Sequence, residues 1–583
     1  MNKNWFEMDD LRKHTFNNKV WIPLYAAQSI DQKGEIGKEG YQSEYFGAHS
    51  IVVSKSEEAN SLSLEWMDLN NSNGHRPWID EEGVFHSTMV YDWKVQGEHL
   101  VLIQYIEIER KRDVHINSDL ILGLGLSREG DIWVCPEEDF VEVIKLTRDD
   151  DKTPNRVDIK AEFLKDYLCA SNSGLRLLTY QSRQSIEESF TYLDWAEKKE
   201  ETMREESFYW SGRLLPVFED SLFGESVFVS HSGRTDTDYQ EDIPVYEFPT
   251  DENTFHHSWT VKPKGKRLQR AMGEIWKKEW IAPAIKSPRV RGDEISSRIE
   301  FIVDNQGNKE TSDTLAGPSR WLWFHPNIVN DLLKKRTGTL SWYTENTGDL
   351  GGAWNRSVHF GVNSLGLINV YAKDIAQLPE FDKKTWANQN TSPDGKVSEE
   401  LLMSQMQAMP ASTVAPEEIF FSLIKQIQEI CKARMSGELF REHTAENAIA
   451  RNIHRFQATS LDGFYFLCKE ITRFLIERID FDFLKTLKKE DEKIGSLKRV
   501  ERILTALGYD GRAIMGALAG VYDLRIADAH LPSNASINDS LKLVGVDYEQ
   551  LKFKAGFVLL QNVNISLEQI KSAFEQGDMS KLK

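Results

Sequence analysis

Cysteine is scarce in this chain, which has only four cysteines among 583 residues. They lie far apart, and no two have the short spacing of a zinc-binding or redox motif. This argues against a fold held together by disulfides, and we expect reduced thiols, no metal and no other cofactor. The four residues are Cys135, Cys169, Cys431 and Cys468.

Long apolar runs are also missing. No stretch approaches the roughly 18 to 20 apolar residues that span a bilayer, and the first residues, MNKNWFEMDDLRKH, lack the apolar core of a signal peptide. We therefore expect a cytoplasmic location and no membrane partner.

The chain also lacks an excess of positive charge, since its net charge is −20. This argues against a protein that coats nucleic acid without specificity. The acidic excess is uneven, because residues 417–583 hold 24 basic and 24 acidic residues and the first 416 residues carry all of the net charge. Any contact with RNA is therefore expected in the C-terminal part.

Residues 1–206 predict a β-rich domain of sandwich or barrel type. Segments rich in β-branched and aromatic residues alternate with turn residues, and one helix is predicted at 161–170. The aromatic side chains fit either a core or a surface for a ligand or partner, and both interpretations stay open. The predicted strands are VWIPLYAAQ, YFGAHSIVV, SLSLEW, GVFHSTMVYDW, HLVLIQYIEIE and DIWVC.

Residues 207–410 predict a second domain of mixed α+β structure, joined to the first by a charged, helix-compatible segment at 190–206. Glycine-rich residues 348–367 fit either a binding loop for a small ligand or tight turns between short strands. The helices predicted in this domain lie at 268–281, 327–335 and 398–407.

Residues 417–583 predict an all-α helical bundle that begins after the boundary MPASTVAPEE. Apolar residues recur there at helical spacing, and Ser460 is placed to cap a helix. The whole chain is thus predicted to be a multidomain α+β protein. The three apolar stripes are Phe420, Leu423, Ile424, Ile427 and Cys431; Phe464, Leu467, Cys468, Ile471 and Leu475; and Val500, Ile503, Leu504 and Leu507. Shorter helices are predicted at 445–456, 548–561 and 567–575.

The last long helix of the bundle is predicted at 512–531, because Pro532 cannot continue it. Its apolar stripe leads to Arg525 as the next position. An arginine on a core face must find a partner, reach an edge or serve a site. The stripe consists of Ile514, Leu518 and Val521.

Arg525 and His530 close this helix with four residues between them. Asp528 offers Arg525 an ordinary ion pair, and a helix C-terminus favours histidine, so a structural role for both stays open. In this all-helical context the pair resembles the mark of the HEPN superfamily, Arg-x4-6-His late in a helix. The resemblance covers about residues 417–583 and implies a HEPN-like bundle that closes as a homodimer or a dimer-based oligomer.

This resemblance implies a metal-independent endoribonuclease in which the Arg and His of two protomers meet. His530 would act as general acid or base while a ribose 2′-hydroxyl attacks its own phosphate, and Arg525 would neutralise charge on the phosphate oxygens. Family members often have a polar residue after the arginine, where this chain has Ile526. That difference favours an alternative, a non-catalytic bundle used for dimerisation or binding.

Two further clusters are candidates for RNA contacts. Arg451, Asn452 and His454 fall in a short predicted helix, and Lys498 and Arg499 belong to the one local basic patch. Phosphate groups are bound by such side chains. The first three also fit the wet face of an ordinary helix, and Glu490, Asp491 and Glu492 dilute the basic patch.

The leading hypothesis is therefore an RNase whose N-terminal region senses a phage or ligand trigger, in anti-phage defence by abortive infection. That biological role is implied only by the resemblance. A further alternative places the chemistry in the N-terminal region, as a metal-dependent nuclease around Asp158 and Lys160 or as a small-ligand sensor.

Overall fold

The chain forms two compact units in this computed structural model. Unit 1 comprises Met1–Pro136 and Phe140–Ile295, and unit 2 comprises Glu137–Asp139 and Ser296–Lys583. Strands dominate the N-terminal half and helices the C-terminal part, which confirms the predicted multidomain α+β class. The structure describes residues 3–69, 78–79, 85–86, 95, 97–106, 111–219, 227–234, 254–261, 265–317, 319–353, 356–488, 494–528 and 534–582.

Unit 1 is built mainly of antiparallel strands. Its strands are β1 Trp21–Lys33, β2 Gln42–Ser54, β3 Trp78–Ile79, β4 Phe85–His86, β5 Gly97–Glu98, β6 Val101–Ile106, β7 Lys111–Ile116, β8 Ser127–Glu129, β9 Ile132–Cys135, β10 Val141–Arg148, β11 Pro154–Lys160, β12 Ser173–Glu187, β13 Glu200–Arg204, β14 Phe208–Phe218, β15 Val227–Arg234, β16 Thr254–Val261 and β17 Arg267–Ile281. Its helices are α1 Lys3–Glu7, α2 Asp9–Arg12, α3 Ser118–Gly123 and α4 Ala161–Ala170.

One large antiparallel sheet organises this unit. Its strand order is β13-β14-β17-β12-β2-β1-β11-β10-β9-β8, and β5 pairs with β2. Helix α4 has the predicted bounds and buries Phe163, Leu164 and Leu168 in a core that includes β1 and β11 side chains. Three two-stranded ribbons, β3-β4, β6-β7 and β15-β16, complete the described strands of unit 1.

The prediction of a helix at 268–281 is wrong, because these residues form β17. This strand lies between β14 and β12 and pairs with both over most of its length. Ala271, Gly273 and Ile275 are buried at every second position, which is the period of a strand. Met272 and Glu274 between them favour helices in isolation, but the two flanking ladders decide the conformation.

Two other predictions for unit 1 are corrected. Residues 190–206 do not form a helical joint, since they contain turns and then β13, which pairs with β14. SLSLEW is not a strand, because a 3-10 helix covers Asn60–Ser63. Its serines donate to backbone carbonyls three residues earlier, a local bond that competes with strand pairing.

Unit 2 joins a small sheet to a set of helices. Its strands are β18 Glu300–Ile302, β19 Lys309–Thr311, β20 Trp321–Phe324, β21 Thr339–Trp342, β22 Thr347–Ala353, β23 Arg356–Val362, β24 Ile368–Tyr371 and β25 Asn390–Thr391. Its helices are α5 Asn327–Leu333, α6 Ala372–Ala376, α7 Glu380–Gln389, α8 Glu399–Gln407, α9 Pro416–Met435, α10 Glu446–Ala450, α11 Leu461–Ile471, α12 Phe481–Leu487, α13 Ser496–Ala506, α14 Gly511–Ile514, α15 Gly516–Leu524, α16 Asn534–Leu543, α17 Tyr548–Leu551 and α18 Ala555–Gln576. Across the described residues, none of these helices or those of unit 1 combines the length and apolar character needed to cross a membrane.

The three predicted apolar stripes of the C-terminal helices are confirmed. All of their residues are buried in one core, together with side chains from α15 and α18. Ser460 caps α11 as predicted, since its side chain accepts a hydrogen bond from the Gly463 N–H. Beyond α11, Thr472–Ile476 form a π-helical turn that continues the same helix.

Several predicted helix limits in this part are corrected. The helix predicted at 512–531 is divided at Met515 into α14 and α15, and a 3-10 turn, Arg525–Asp528, follows. The helix at 445–456 is only α10 followed by a separate 3-10 turn. The two helices predicted at 548–561 and 567–575 are largely one, because α18 continues through the gap between them and buries side chains along its whole length.

The observed units also differ from the predicted division at 206 and at 410–417. Strands β14 and β17 belong to the same sheet as β1 and β2, so the first boundary falls inside a continuous ladder. At the second, Phe456 from the helical part lies in the core of the small sheet. The Phe456 ring stacks on Trp342 of β21 at 5.6 Å between centroids, which explains why this boundary separates no compact unit.

Gly520 provides a test of how α15 packs on α16. A Cβ atom at Gly520 would lie 2.8 Å from Val544 Cγ1 and 2.9 Å from the Ser540 carbonyl oxygen. We expect Gly520→Ala to lower the free energy of unfolding by about 1 to 3 kcal/mol, because the helices must move apart.

Gly516 lies in the same helix, and a Cβ added there would meet no atom of the described residues within 4 Å. Gly516→Ala should leave the free energy of unfolding unchanged or raise it by up to about 1 kcal/mol. Urea denaturation of the two variants checks both outcomes, and equal effects would contradict the described packing.

Candidate functional site

Arg525 lies where α15 ends and the 3-10 turn Arg525–Asp528 begins. The preceding stripe residues Ile514, Leu518 and Val521 are buried, as predicted. The Arg525 side chain is half-buried, and its Nη1 donates to the Tyr522 carbonyl oxygen at 3.0 Å. Its guanidinium lies over the Tyr522 ring, 3.4 Å from the centroid, so aromatic stacking holds the charge at the end of the helix.

No carboxylate pairs with Arg525 within the part of the chain that the structure describes. His530 and the Asp528 side chain lie outside the described residues. Ile526, the next residue along the chain, is 41% exposed. Arg525 is therefore a positive group at the surface with an apolar neighbour.

The three polar residues near 451–454 serve as structural contacts. Arg451 Nη2 donates to the carbonyl oxygens of Leu333, Lys335 and Gly338 at 2.9, 3.2 and 2.6 Å. These bonds satisfy carbonyls at and just after the end of α5. They account for the position of Arg451 without RNA.

Asn452 and His454 differ from each other in exposure. Asn452 donates to Glu470 at 3.1 Å and is half-buried. His454 is 3% exposed, and burial lowers its pKa to about 4, so the imidazole is neutral near pH 7. A neutral, enclosed imidazole offers no charge to a phosphate.

Lys498 and Arg499 lie together on α13 but in different environments. Lys498 pairs with Glu501 at 2.6 Å and is exposed. Arg499 is 3% exposed, packs its guanidinium over the Phe481 ring at 4.9 Å and donates to the Lys488 carbonyl. Of this pair, Lys498 alone presents its charge to solvent.

Sequence reasoning missed the ion pair between Glu417 and Arg455. Both side chains are almost closed to water, with 4% and 3% exposure. Arg455 Nε and Nη2 donate to the two Glu417 oxygens at 2.9 and 2.7 Å, and the Arg455 backbone N–H donates to the same carboxylate. The one available signal was the place of Glu417 directly after Pro416, in the first turn of α9.

Burial acts to raise the pKa of Glu417, but the charge and hydrogen bonds of Arg455 outweigh it and lower the net pKa. The Arg455 guanidinium also lies over the rings of Trp342 and Phe557, at 4.2 and 4.7 Å. Within the described chain, no acceptor contacts its third nitrogen, Nη1.

Arg455 lines a cavity of about 580 Å³ between the small sheet and the helices of unit 2. The cavity has apolar rings and both signs of charge, as ligand sites commonly do. Its aromatic and charged lining consists of Phe456, Phe553, Phe557, Lys396, Lys554, Glu345, Glu399 and Glu400.

The glycine-rich segment contributes part of this wall. Gly348 lies in β22, and the described residues of 348–367 belong mostly to β22 and β23, as the alternative of short strands predicts. The turn after β23 nevertheless supplies Asn363, Ser364 and Gly366 to the cavity. Gly366 is required there because its φ is +85° and an added Cβ would lie 2.8 Å from the Phe553 side chain.

The proposed metal nuclease around Asp158 and Lys160 finds little geometric support. Asp158 accepts two hydrogen bonds from Arg156, at 2.7 and 2.8 Å, on the same strand. Throughout the described residues, no group of three or more His, Cys, Asp or Glu side chains is arranged to hold a metal ion.

Comparison with known proteins gives no relative: the chain matches no protein-family model, no curated protein and no solved structure.

The Glu417–Arg455 pair can be tested through its effect on stability. Glu417→Gln leaves a buried guanidinium without its counter-charge, and we expect the free energy of unfolding to fall by about 3 to 5 kcal/mol at pH 7. The neighbouring exposed Glu418→Gln is the matched control and should change it by less than about 0.5 kcal/mol.

The pair should also contribute to the loss of folding stability at low pH. Because the folded pKa of Glu417 is lowered, its contribution is present above the unfolded pKa and is lost as the pH falls through the folded pKa. Urea midpoints measured between pH 7 and pH 3 should therefore converge for the wild type and Glu417→Gln. A constant difference across this range would contradict the assignment.

Proposed function

We propose that residues 417–583 form a HEPN-type helical bundle that cleaves RNA without a metal. The observation that carries the proposal is the position of Arg525, which is held over Tyr522 at a helix end with no carboxylate partner in the described chain. A pre-positioned guanidinium suits a phosphate, since it offers charge and directed donors together.

In this proposal Arg525 neutralises the charge that develops on the phosphate oxygens. His530 takes the proton of the ribose 2′-hydroxyl or protonates the leaving oxygen, which leaves a 2′,3′-cyclic phosphate end. The resemblance to the HEPN superfamily supplies RNA as the substrate and the role of His530.

A homodimer would place two copies of this end next to each other. The exposed Ile526 beside Arg525 supports this arrangement, because an apolar side chain at the surface favours burial against a partner. We further propose that residues 1–416 sense a phage or ligand trigger, in an abortive-infection response in the cytoplasm. The burial of Cys431 and Cys468 as thiols fits a reducing compartment.

The proposal predicts cleavage of single-stranded RNA by the purified chain in excess EDTA. Arg525→Ala and His530→Ala should each reduce the rate by at least about 100-fold. Arg525→Ala should change the free energy of unfolding by less than about 1 kcal/mol, because the side chain is half-exposed.

Arg512→Ala is the control, since Arg512 is an exposed arginine in the neighbouring helix α14. It should cleave like the wild type. Full activity of Arg525→Ala, or no cleavage by an intact dimer, would leave the bundle as a dimerisation or binding module.

A second candidate function is a small-ligand sensor at the Arg455 cavity. It is favoured by the unused Nη1 donor of Arg455 and by Lys396 and Lys554, which form no ion pair in the described chain. Rings on the cavity wall suit a flat ligand. The lining holds three cations and three glutamates, so a ligand carboxylate or carbonyl would be bound by the directed donors of the cations and not by net charge.

Benzoate is a simple probe for this cavity. At about 10 mM it should raise the melting temperature of the full chain if it binds in the millimolar range. Lys554→Gln should weaken this shift, whereas Lys425→Gln, an exposed lysine on α9, should not. Equal shifts in both variants would assign the effect to salt.

A further inference from the structure

A row of aromatic side chains crosses one face of the large sheet in unit 1. Tyr180 of β12 pairs with Trp276 of β17, which pairs with Tyr209 of β14. Directly paired residues on neighbouring strands point to the same face. The Tyr180 and Trp276 rings lie 4.2 Å apart and all three side chains are half-buried, so the row remains open to solvent.

Trp66 packs edge-on against Trp276 of this row. Its ring lies 5.4 Å from that of Trp276, with 81° between the planes. Gly47 makes room for it, because a Cβ at that position would lie 2.9 Å from the indole. The two indoles thereby form an aromatic corner, defined here as Trp66 and Trp276.

The His49 ring packs against the Trp66 ring, with 4.4 Å between the centroids. Burial lowers the pKa of His49 to about 4, so its imidazole is neutral near pH 7. The corner therefore has an aromatic neighbour that adds no positive charge.

The aromatic corner lines a cavity of about 360 Å³. Both lysines of its lining, Lys277 and Lys278, are already engaged. Lys278 pairs with Glu65 at 2.9 Å, and the Lys277 ammonium donates to the backbone carbonyls of Leu11 and His14. Lys277 follows Trp276 directly on β17, so its ammonium lies on the opposite face of the sheet from the corner, and Glu65 offsets the charge of Lys278.

The remaining charges come from the β13–β14 hairpin. Glu205 and Glu206 are exposed on the cavity rim and form no ion pair in the described chain, and Arg204 is the one cation beside them. Two carboxylates against one guanidinium leave the opening acidic.

We propose that this cavity binds a small organic cation with methyl groups on its nitrogen, of the quaternary ammonium class. Such a cation is attracted to the faces of tryptophan rings and keeps its charge near carboxylates. Its methyl groups contact the indoles, while Glu205 and Glu206 attract the charge. The inference is independent of the ribonuclease proposal, because it uses only residues of unit 1.

Choline and its neutral carbon isostere, 3,3-dimethyl-1-butanol, test this proposal with the full chain. Tryptophan fluorescence and calorimetry at constant ionic strength should show choline binding about tenfold more tightly than the isostere. Equal affinity for choline and the isostere would show that the pocket is merely apolar and would overturn the proposal. Failure of choline to bind at about 10 mM, roughly the highest practical concentration for weak sites, would overturn it as well.

Removing negative and positive charges from the β13–β14 hairpin should change the affinity for choline in opposite directions. Glu205→Gln with Glu206→Gln should weaken choline binding several-fold, whereas Arg204→Gln should strengthen it about twofold to threefold, because it removes a repelling cation. Glu200→Gln, an exposed glutamate of β13 that does not line the cavity, is the control. Weaker choline binding in Arg204→Gln would show that Arg204 does not repel the bound cation and would overturn the assignment.

Trp66→Leu should reduce choline affinity at least about tenfold, since it removes one wall of the corner. Trp321→Leu, a half-buried tryptophan of unit 2, is the matched control and should leave the affinity unchanged. Unchanged binding in folded Trp66→Leu would contradict the proposed site. If this variant does not fold, the hairpin variants decide the outcome.

Discussion

The buried ion pair between Glu417 and Arg455 connects the two parts of unit 2. Glu417 belongs to the first turn of α9, and Arg455 lies between the ring of Trp342 in the small sheet and that of Phe557 in α18. A charge enclosed in this way is tolerated only where a partner and further hydrogen bonds compensate for lost water. Sheet and helices must therefore keep one relative arrangement for the pair to persist.

The same constraint explains why polar residues near Arg455 are poor candidates for binding RNA. Arg451 is bonded to carbonyls after α5, Asn452 to Glu470, and His454 is enclosed. Of these groups, Arg451 links the helical part to the end of α5. The chemistry proposed for unit 2 lies elsewhere, at the end of α15, where Arg525 contacts Tyr522 of its own helix and pairs with no carboxylate in the described chain.

In unit 1, the arrangement of the elements is fixed by long neighbouring strands and not by a buried ion pair. β12 pairs with β2 and with β17 over thirteen positions each, so the register of these strands is fixed by many simultaneous bonds. That register also determines which side chains meet. It aligns Tyr180, Trp276 and Tyr209 on one face, although they come from three distant parts of the sequence.

The sequence by itself determined the fold class, the helix α4, the helical faces of α9, α11 and α13, and the cap at Ser460. These features follow from local periodicity and local hydrogen bonding, which a sequence displays directly. It also placed Arg525 next to a buried stripe, but it could not show whether that arginine had a partner. Helix limits at Met515 and Leu524 stayed hidden, because tertiary packing sets them.

The tertiary structure alone decided that β17 is a strand, that β14 and β17 belong with β1 and β2, and that Glu417 faces Arg455. Each of these results depends on contacts between residues far apart in the chain, and such contacts override intrinsic preference when they supply two ladders or a buried counter-charge. Spacing along the sequence carries no record of those distances. For that reason the sequence could identify candidate side chains, while their burial, partners and remaining free donors emerged only in the folded chain.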